Sequence, residues 1–193
     1  MRPVNSYSSD VIDFGIEAIA YAESGKLIEG STWKTVVTFY QASQMRPFRL
    51  VDSTYQEVVN SGDLGLLRDD DLRSSLANYY VSGPVVSTPY ILQYVPEYRF
   101  LVRGVTPEPV ADYIWKRCVE NLGGLHEILS IKCEAPITEA EAQAVLDGYL
   151  RTPGLLTALR FWVTNQKIGV AVLNTARDDS PKLLREVEAS LGR

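Results

Sequence analysis

Ser53–Tyr80, STYQEVVNSGDLGLLRDDDLRSSLANYY, decides how the fold is read. Ser53 and Gln56 have the S-x-x-Q spacing of a capping box, in which two side chains satisfy backbone N–H groups that a helix start leaves unpaired. Asn60-Ser61-Gly62 stops that helix, because glycine enters the left-handed region without steric cost. Asp69 then caps a second helix. Asp70 and Asp71 occupy its first turn, where the macrodipole favours negative charge. Leu72 and Leu76 repeat at i, i+4, and Tyr79-Tyr80 follow one turn on. The stretch predicts two capped helices around a short polar turn. The three aspartates lack the alternating spacing, central glycine and closing glutamate of a calcium loop, so they read as a helix start and no metal is expected there.

Working outward, the same punctuation recurs. Thr138 and Glu141 form a second capping box. Thr88-Pro89, Thr106-Pro107 and Ser180-Pro181 each read as a hydroxyl at N-cap with proline at N1, and Ser31 reads as a further cap. Asp178-Asp179 reads as part of the start at Ser180. Gly25, Gly83, Gly104 and Gly123 join Gly62 as expected stops. Ile91, Tyr94, Val95, Tyr98, Leu101 and Val102 keep helical spacing, with Pro96 expected to kink the segment. Val110, Ile114, Trp115 and Cys118 mark one face of the next helix. Leu155, Leu159, Trp162 and Val163 open a long helix expected to reach about Thr175. Leu183, Leu184, Val187 and Leu191 mark a short closing one. Arg99–Val105 and Ile128–Lys132 have strand-like composition but read as helix or loop. The expectation is an all-α irregular bundle of about seven or eight helices built from helix–loop–helix units.

The chain of 193 residues reads as one helical domain over 1–193. Leu67-Arg68-Asp69 with Leu72, Leu76 and Tyr79-Tyr80 is echoed by Leu150-Arg151-Thr152 with Leu155, Leu159 and Trp162-Val163. That echo divides the domain into two related halves, about 31–105 and 106–193, and chance leucine spacing is the alternative.

Thr54-Tyr55, Asn60-Ser61-Gly62, the ladder of Leu64, Leu66 and Leu67, Asp71-Leu72-Arg73 and Tyr79-Tyr80 carry a resemblance to a bacterial family of unknown function. Its members have a single N-terminal membrane-spanning helix followed by a helical domain outside the cytoplasm. The likeness is concentrated on Ser53–Tyr80, is weaker over Leu150–Val163, and does not extend elsewhere. It implies an anchor ahead of Met1 and a domain on the periplasmic side of the inner membrane. It brings no activity with it. The alternative is a cytoplasmic protein that starts at Met1.

Composition narrows the function. Net charge is -5 and there is no basic stripe, so neither nucleic acid nor an acidic membrane surface is an expected partner. No run of about 18 apolar residues occurs, so any membrane attachment would come from an anchor outside this sequence. Cys118 and Cys133 flank the Asn121-Leu122-Gly123-Gly124 turn. Their spacing fits a cross-link between antiparallel segments, worth roughly 3 kcal/mol in an oxidising compartment. Two buried thiols are the alternative. Two thiols and one histidine do not make a zinc site.

Catalytic signatures are sparse. His126, the single histidine, reads as a surface residue beside Glu127. No nucleophile elbow and no phosphate-cradling loop is present. Glu139 and Glu141 belong to a helix start. No cofactor, catalytic residue or metal ligand is expected. The 11 tyrosines concentrate at Tyr79-Tyr80 and Tyr90, Tyr94, Tyr98 and read chiefly as core. Tyr79 and Tyr80, with Arg73 as an anion contact, are the candidate surface for a small molecule or protein partner. The alternative for Arg73 is an ion pair with Asp69 or Asp70. The leading reading is a non-enzymatic extracytoplasmic domain that senses a small molecule or holds a partner. A cytoplasmic adaptor or regulator is second, and a carboxylate- or metal-dependent enzyme third.

Overall fold

The computed structural model describes residues 4–45, 51–83, 95–121 and 127–191. The fold is all-α, with eight α-helices among the described residues. They are α1 (Val4–Ser24), α2 (Thr32–Gln41), α3 (Ser53–Ser61), α4 (Asp70–Ala77), α5 (Glu97–Val105), α6 (Glu108–Arg117), α7 (Glu139–Arg151) and α8 (Leu155–Leu191). One departure is a small antiparallel hairpin of β1 (Val119–Asn121) and β2 (Glu127–Leu129), with Val119 opposite Leu129 and Asn121 opposite Glu127. Ile128 and Leu129, expected as helix or loop, are therefore strand. Three residues per strand are too few to show the period-2 alternation by which a strand is read. The expected cap at Thr88-Pro89, the tyrosine and isoleucine positions Tyr90, Ile91 and Tyr94, the turn residues Leu122, Gly123 and Gly124, and His126 lie outside the described residues.

The chain divides into two compact units, each built from two segments. Unit 1 is Met1–Arg46 with Val95–Lys167; unit 2 is Pro47–Tyr94 with Ile168–Arg193. Both of the halves read from the sequence, 31–105 and 106–193, contribute to both units.

The middle of unit 1 is α2, in which every residue but Lys34 is buried. Its β-branched residues are poor helix formers, and burial on all sides overrides that preference. Ser31 caps it, accepting from Lys34 N. Thr35 and Thr38 return their hydroxyls to the carbonyls of Ser31 and Lys34, so no polar group is carried inward unmet. The far end of α2 leaves carbonyls that no helical N–H can reach. Side chains from other helices supply the donors. Tyr98 Oη donates to Phe39 O at 2.6 Å, Trp162 Nε1 to Ala42 O at 2.8 Å and Arg99 Nη1 to Ser43 O at 2.6 Å. Around this end Tyr98, Tyr149, Ile114, Leu146, Leu155 and Leu159 are all fully buried. Gly15 of α1 is buried as well; a Cβ there would stand 2.3 Å from Val163 Cγ2, so glycine is required by that approach.

Several helix boundaries correct the sequence-based expectations. Thr138 and Glu141 do form the capping box of α7, and Asp69 caps α4 through Leu72 N. Ser53 and Gln56 do not form theirs. Asp52 is the N-cap of α3, and Gln56 Nε2 donates to its carboxylate at 3.2 Å, a stronger acceptor than a hydroxyl. Thr106 does not cap α6 either; Pro107 stands there. The Thr106 hydroxyl is turned inward, donating to Val102 O at 2.7 Å and lying 2.8 Å from Tyr149 Oη. Pro96 starts α5 instead of kinking a longer helix, and Gly104 lies within α5 rather than ending it. Gly25 and Gly62 do take positive φ at helix ends, whereas Gly83 has φ −80°. Trp115 is 48% exposed, so the buried residues of α6 are Val110 and Ile114, followed by buried Cys118 at its C-cap.

The largest correction concerns Ser180-Pro181, which starts no helix. Both lie inside α8, which runs through to Leu191, so Asp178 and Asp179 are interior too. Proline removes the N–H that would bond the carbonyl four residues back. Ser180 Oγ donates to that carbonyl, Arg177 O, at 3.0 Å and replaces the missing donor. The echo between the two leucine-arginine segments also fails at its cap. Asp69 opens a helix, whereas Thr152 closes α7 and returns its hydroxyl to Gly148 O.

Candidate functional site

The residues singled out from the sequence do not converge. Arg73 turns back on its own helix start, donating to Leu67 O at 2.6 Å and pairing with Asp70. Tyr80 stacks on Tyr55 with centroids 4.5 Å apart, and Tyr79 meets Tyr80 edge-on. Of the three, Tyr79 lines a cleft. The cleft lies in unit 2, has a volume of about 260 Å³, and is also lined by Ser75, Asn78, Asp179, Lys182 and Glu186. The chain passes from α4 into a π-helical turn at Asn78–Ser82, and a Cβ on Gly83 would stand 2.3 Å from Asn78 O. Burial, then Tyr80 and Asp179, push the Tyr79 phenol above its ordinary value. Lys182 is already paired with Asp179.

A more apolar groove lies in unit 1. The α5–α6 elbow supplies Val105, Pro107 and Pro109, and α7 supplies Ala144, Val145 and Gly148, around a volume of about 460 Å³. That size is within the range of small-molecule sites. Glu141 stands in its wall as the one ionisable lining group. Its Oε2 accepts from both the backbone N–H and the hydroxyl of Thr138, at 2.8 Å each. Those bonds hold the carboxyl below its ordinary value, so it stays ionised near neutral pH. Two of the elbow residues are prolines, which fix the wall without spending backbone N–H groups.

Cys118 and Cys133 sit at disulfide-bonding distance, with Cα atoms 5.2 Å apart. They stand at the two ends of the hairpin, where Ser130 N also donates to Cys118 O. Both ends are tied to α2. Trp33 Nε1 donates to Cys133 O at 3.0 Å, and Gln41 Nε2 to Cys118 O at 2.8 Å. Gln41 then passes the connection on. Its Oε1 accepts from Gln44 Nε2, and Gln44 Oε1 accepts from Arg103 Nη2 at 2.8 Å. A buried amide chain thus joins the hairpin to a guanidinium. Nothing in the sequence patterns singled out Gln41, Gln44, Arg99 or Arg103. The lack of a carboxylate three or four residues away could not have found the arginines, because Lys34 and Arg160 share it and still pair with Glu29 and Glu23.

Among the described residues no group of His, Cys, Asp and Glu side chains is placed to hold a metal, and no helix is long and apolar enough to cross a membrane. No family model, curated protein or solved structure matches this chain.

Proposed function

We propose that this chain is a non-enzymatic helical domain that binds a small amphiphilic cation and works outside the cytoplasm. The groove of unit 1 carries the ligand reading. It joins apolar walls to a single ionised carboxylate with one oxygen, Oε1, uncommitted to Thr138. An apolar body along Val105, Pro107, Ala144 and Val145 would place an ammonium group at Glu141. An ion pair at such an exposed lip adds little affinity, so the carboxylate selects sign and orientation while the apolar contact holds the ligand. Placement outside the cytoplasm is supported by the cysteine pair at bonding distance, because such a pair persists as a disulfide in an oxidising compartment and is kept reduced in the cytosol. It is also supported by the resemblance centred on Ser53–Tyr80.

Octylamine and octanoate, titrated separately while methyl resonances are followed by NMR, test the groove. Octylamine should shift the methyls of Ala144, Val145 and Val105 saturably, and octanoate should bind at least tenfold more weakly. Ala144→Phe should fill the groove and abolish both. Equal binding of the two ions would remove the role of Glu141. No shift with either would leave the groove without a small ligand and favour a protein partner.

A further inference from the structure

We propose that Arg99 and Arg103 form a second binding site, independent of the groove, for the phosphate group of a small molecule. The two residues stand at i, i+4 on α5, so their side chains leave the same face. Both reach one residue at the end of α2: Arg99 Nη1 donates to Ser43 O at 2.6 Å, and Arg103 Nε to Ser43 Oγ at 3.1 Å. Arg103 Nη2 takes Gln44 Oε1, and its guanidinium lies 4.7 Å above the Tyr40 ring.

What these contacts omit is a counter-ion. Lys34, Arg73, Lys116, Arg160, Arg177 and Lys182 pair with carboxylates, and the other described lysines and arginines without such a pair, apart from Arg99 and Arg103, are exposed to water. Arg99 and Arg103 are half-buried and pair with none among the described residues. Surface pairs of that kind contribute little, whereas a half-buried cation without a partner is costly. Here two like charges meet at one serine. Burial pushes both guanidiniums below their ordinary value, and Arg103 adds to the effect on Arg99. The carbonyl end of α2 and the Tyr40 face offset part of that cost without neutralising it.

The unspent donors say what would. Ser43 and Gln44 leave Nε and Nη2 of Arg99, and Nη1 of Arg103, with no acceptor among the described residues. A phosphate monoester brings close to two negative charges and three oxygens to two positive charges and several N–H groups. A carboxylate brings one charge and two oxygens and would leave donors unmet. Arg103 is held in place by the Gln44–Gln41 chain and Arg99 by a backbone carbonyl, so the site is pre-positioned. Pre-positioning lowers the ordering cost that binding must overcome.

Calorimetric titration of the full chain with inorganic phosphate, glycerol phosphate and acetate, at fixed ionic strength in chloride, tests the site. Melting temperature is followed in the same solutions. Saturable binding of phosphate or its monoester is expected, at least tenfold tighter than acetate. Glycerol phosphate binding more tightly than inorganic phosphate would identify a monoester as the ligand; the reverse would identify the free ion. Arg99→Gln should weaken phosphate binding at least tenfold while circular dichroism shows the fold intact. If that variant does not fold, Arg99→Lys replaces it, since one ammonium cannot reproduce the guanidinium fork. The proposal is overturned if the wild type gives no phosphate heat. It is also overturned if phosphate only raises melting temperature linearly and equally in wild type and variant, as an excluded salt does.

Discussion

Tyr98 and Tyr149 each bury a phenol completely and give it one hydrogen-bond partner, Phe39 O for the first and Thr106 Oγ1 for the second. Burial raises both above the ordinary tyrosine value, because a phenolate would be stranded from water. A raised folded-state value fixes the sign of the pH dependence. The stabilisation is fully present below about pH 10, the unfolded value, and is lost as pH rises from there through the folded values. Tyr98→Phe should cost about 1–3 kcal/mol at neutral pH, since Phe39 O loses its donor. It should also melt less steeply with pH than the wild type between neutrality and the alkaline limit, which a thermal melt series reads directly. An unchanged slope would mean that the Tyr98 phenol does not govern alkaline unfolding. At this scale the sequence was informative about Tyr98 as core and silent about its partner, whereas Tyr79 and Tyr80, read chiefly as core too, are only half-buried. Tyr98 falls on an apolar helical stripe, but the carbonyl it serves lies 59 residues away in the chain. Arg73 was legible for the opposite reason, its partner Asp70 being one turn off on the same helix.

At the scale of elements, local signals were readable at Ser31, Asp69, Thr138, Gly25 and Gly62, but failed at Ser53, Pro96, Thr106 and Ser180-Pro181. The box at Thr138 and Glu141 and the cap at Asp69 depend only on local geometry. Ser180-Pro181 looks the same locally, yet α8 continues through it because Ser180 supplies Arg177 O with the donor that proline lacks. Pro181→Ala restores a backbone N–H to that carbonyl and relieves the ring's clash with the preceding turn. It should stabilise the C-terminal part of α8 by up to about 3 kcal/mol. Far-ultraviolet circular dichroism should then show more helix retained on heating. A loss of helix would mean that the proline is preferred there by contacts of its own. The hairpin was illegible for want of length; α2 was marked at its start by Ser31, but burial on nearly every face erases the amphipathic stripe by which its body would be recognised.

At the scale of the molecule, the two units differ in how much apolar surface they hide. Among the described residues the buried hydrophobics of unit 2 are Leu72 and Ala176, while unit 1 holds all the others. The Cys118–Cys133 pair also belongs to unit 1. Local opening follows such differences, so backbone amides of α3 should exchange with solvent well before those of α2 and α7. In protein made in an oxidising compartment, both thiols should resist alkylation until reduced. Reduction should then lower the protection of α2 by about 3 kcal/mol, the loop-closure value for a separation of 15, and leave α3 unchanged. Thiols alkylated without reduction in unfolded protein would remove the cysteine pair as support for an extracytoplasmic setting. This unevenness could not be read from composition, because the leucines of Ser53–Tyr80 are as regularly spaced as those of Leu150–Val163.

The placement of the indole rings has a practical consequence. Trp33, Trp115 and Trp162 are the three tryptophans of the chain, and all belong to unit 1. Trp33 donates its Nε1–H to the carbonyl of Cys133, and Trp162 is sealed from water. Emission excited at the red edge of indole absorption is therefore a private reporter of one unit, blind to the other. In fluorescence unit 2 is seen through its phenols, with Tyr55 and Tyr80 stacked as a pair. An unfolding curve recorded by indole fluorescence alone would look two-state whatever unit 2 was doing. Its divergence from a curve recorded by ellipticity would measure how far the two units unfold apart.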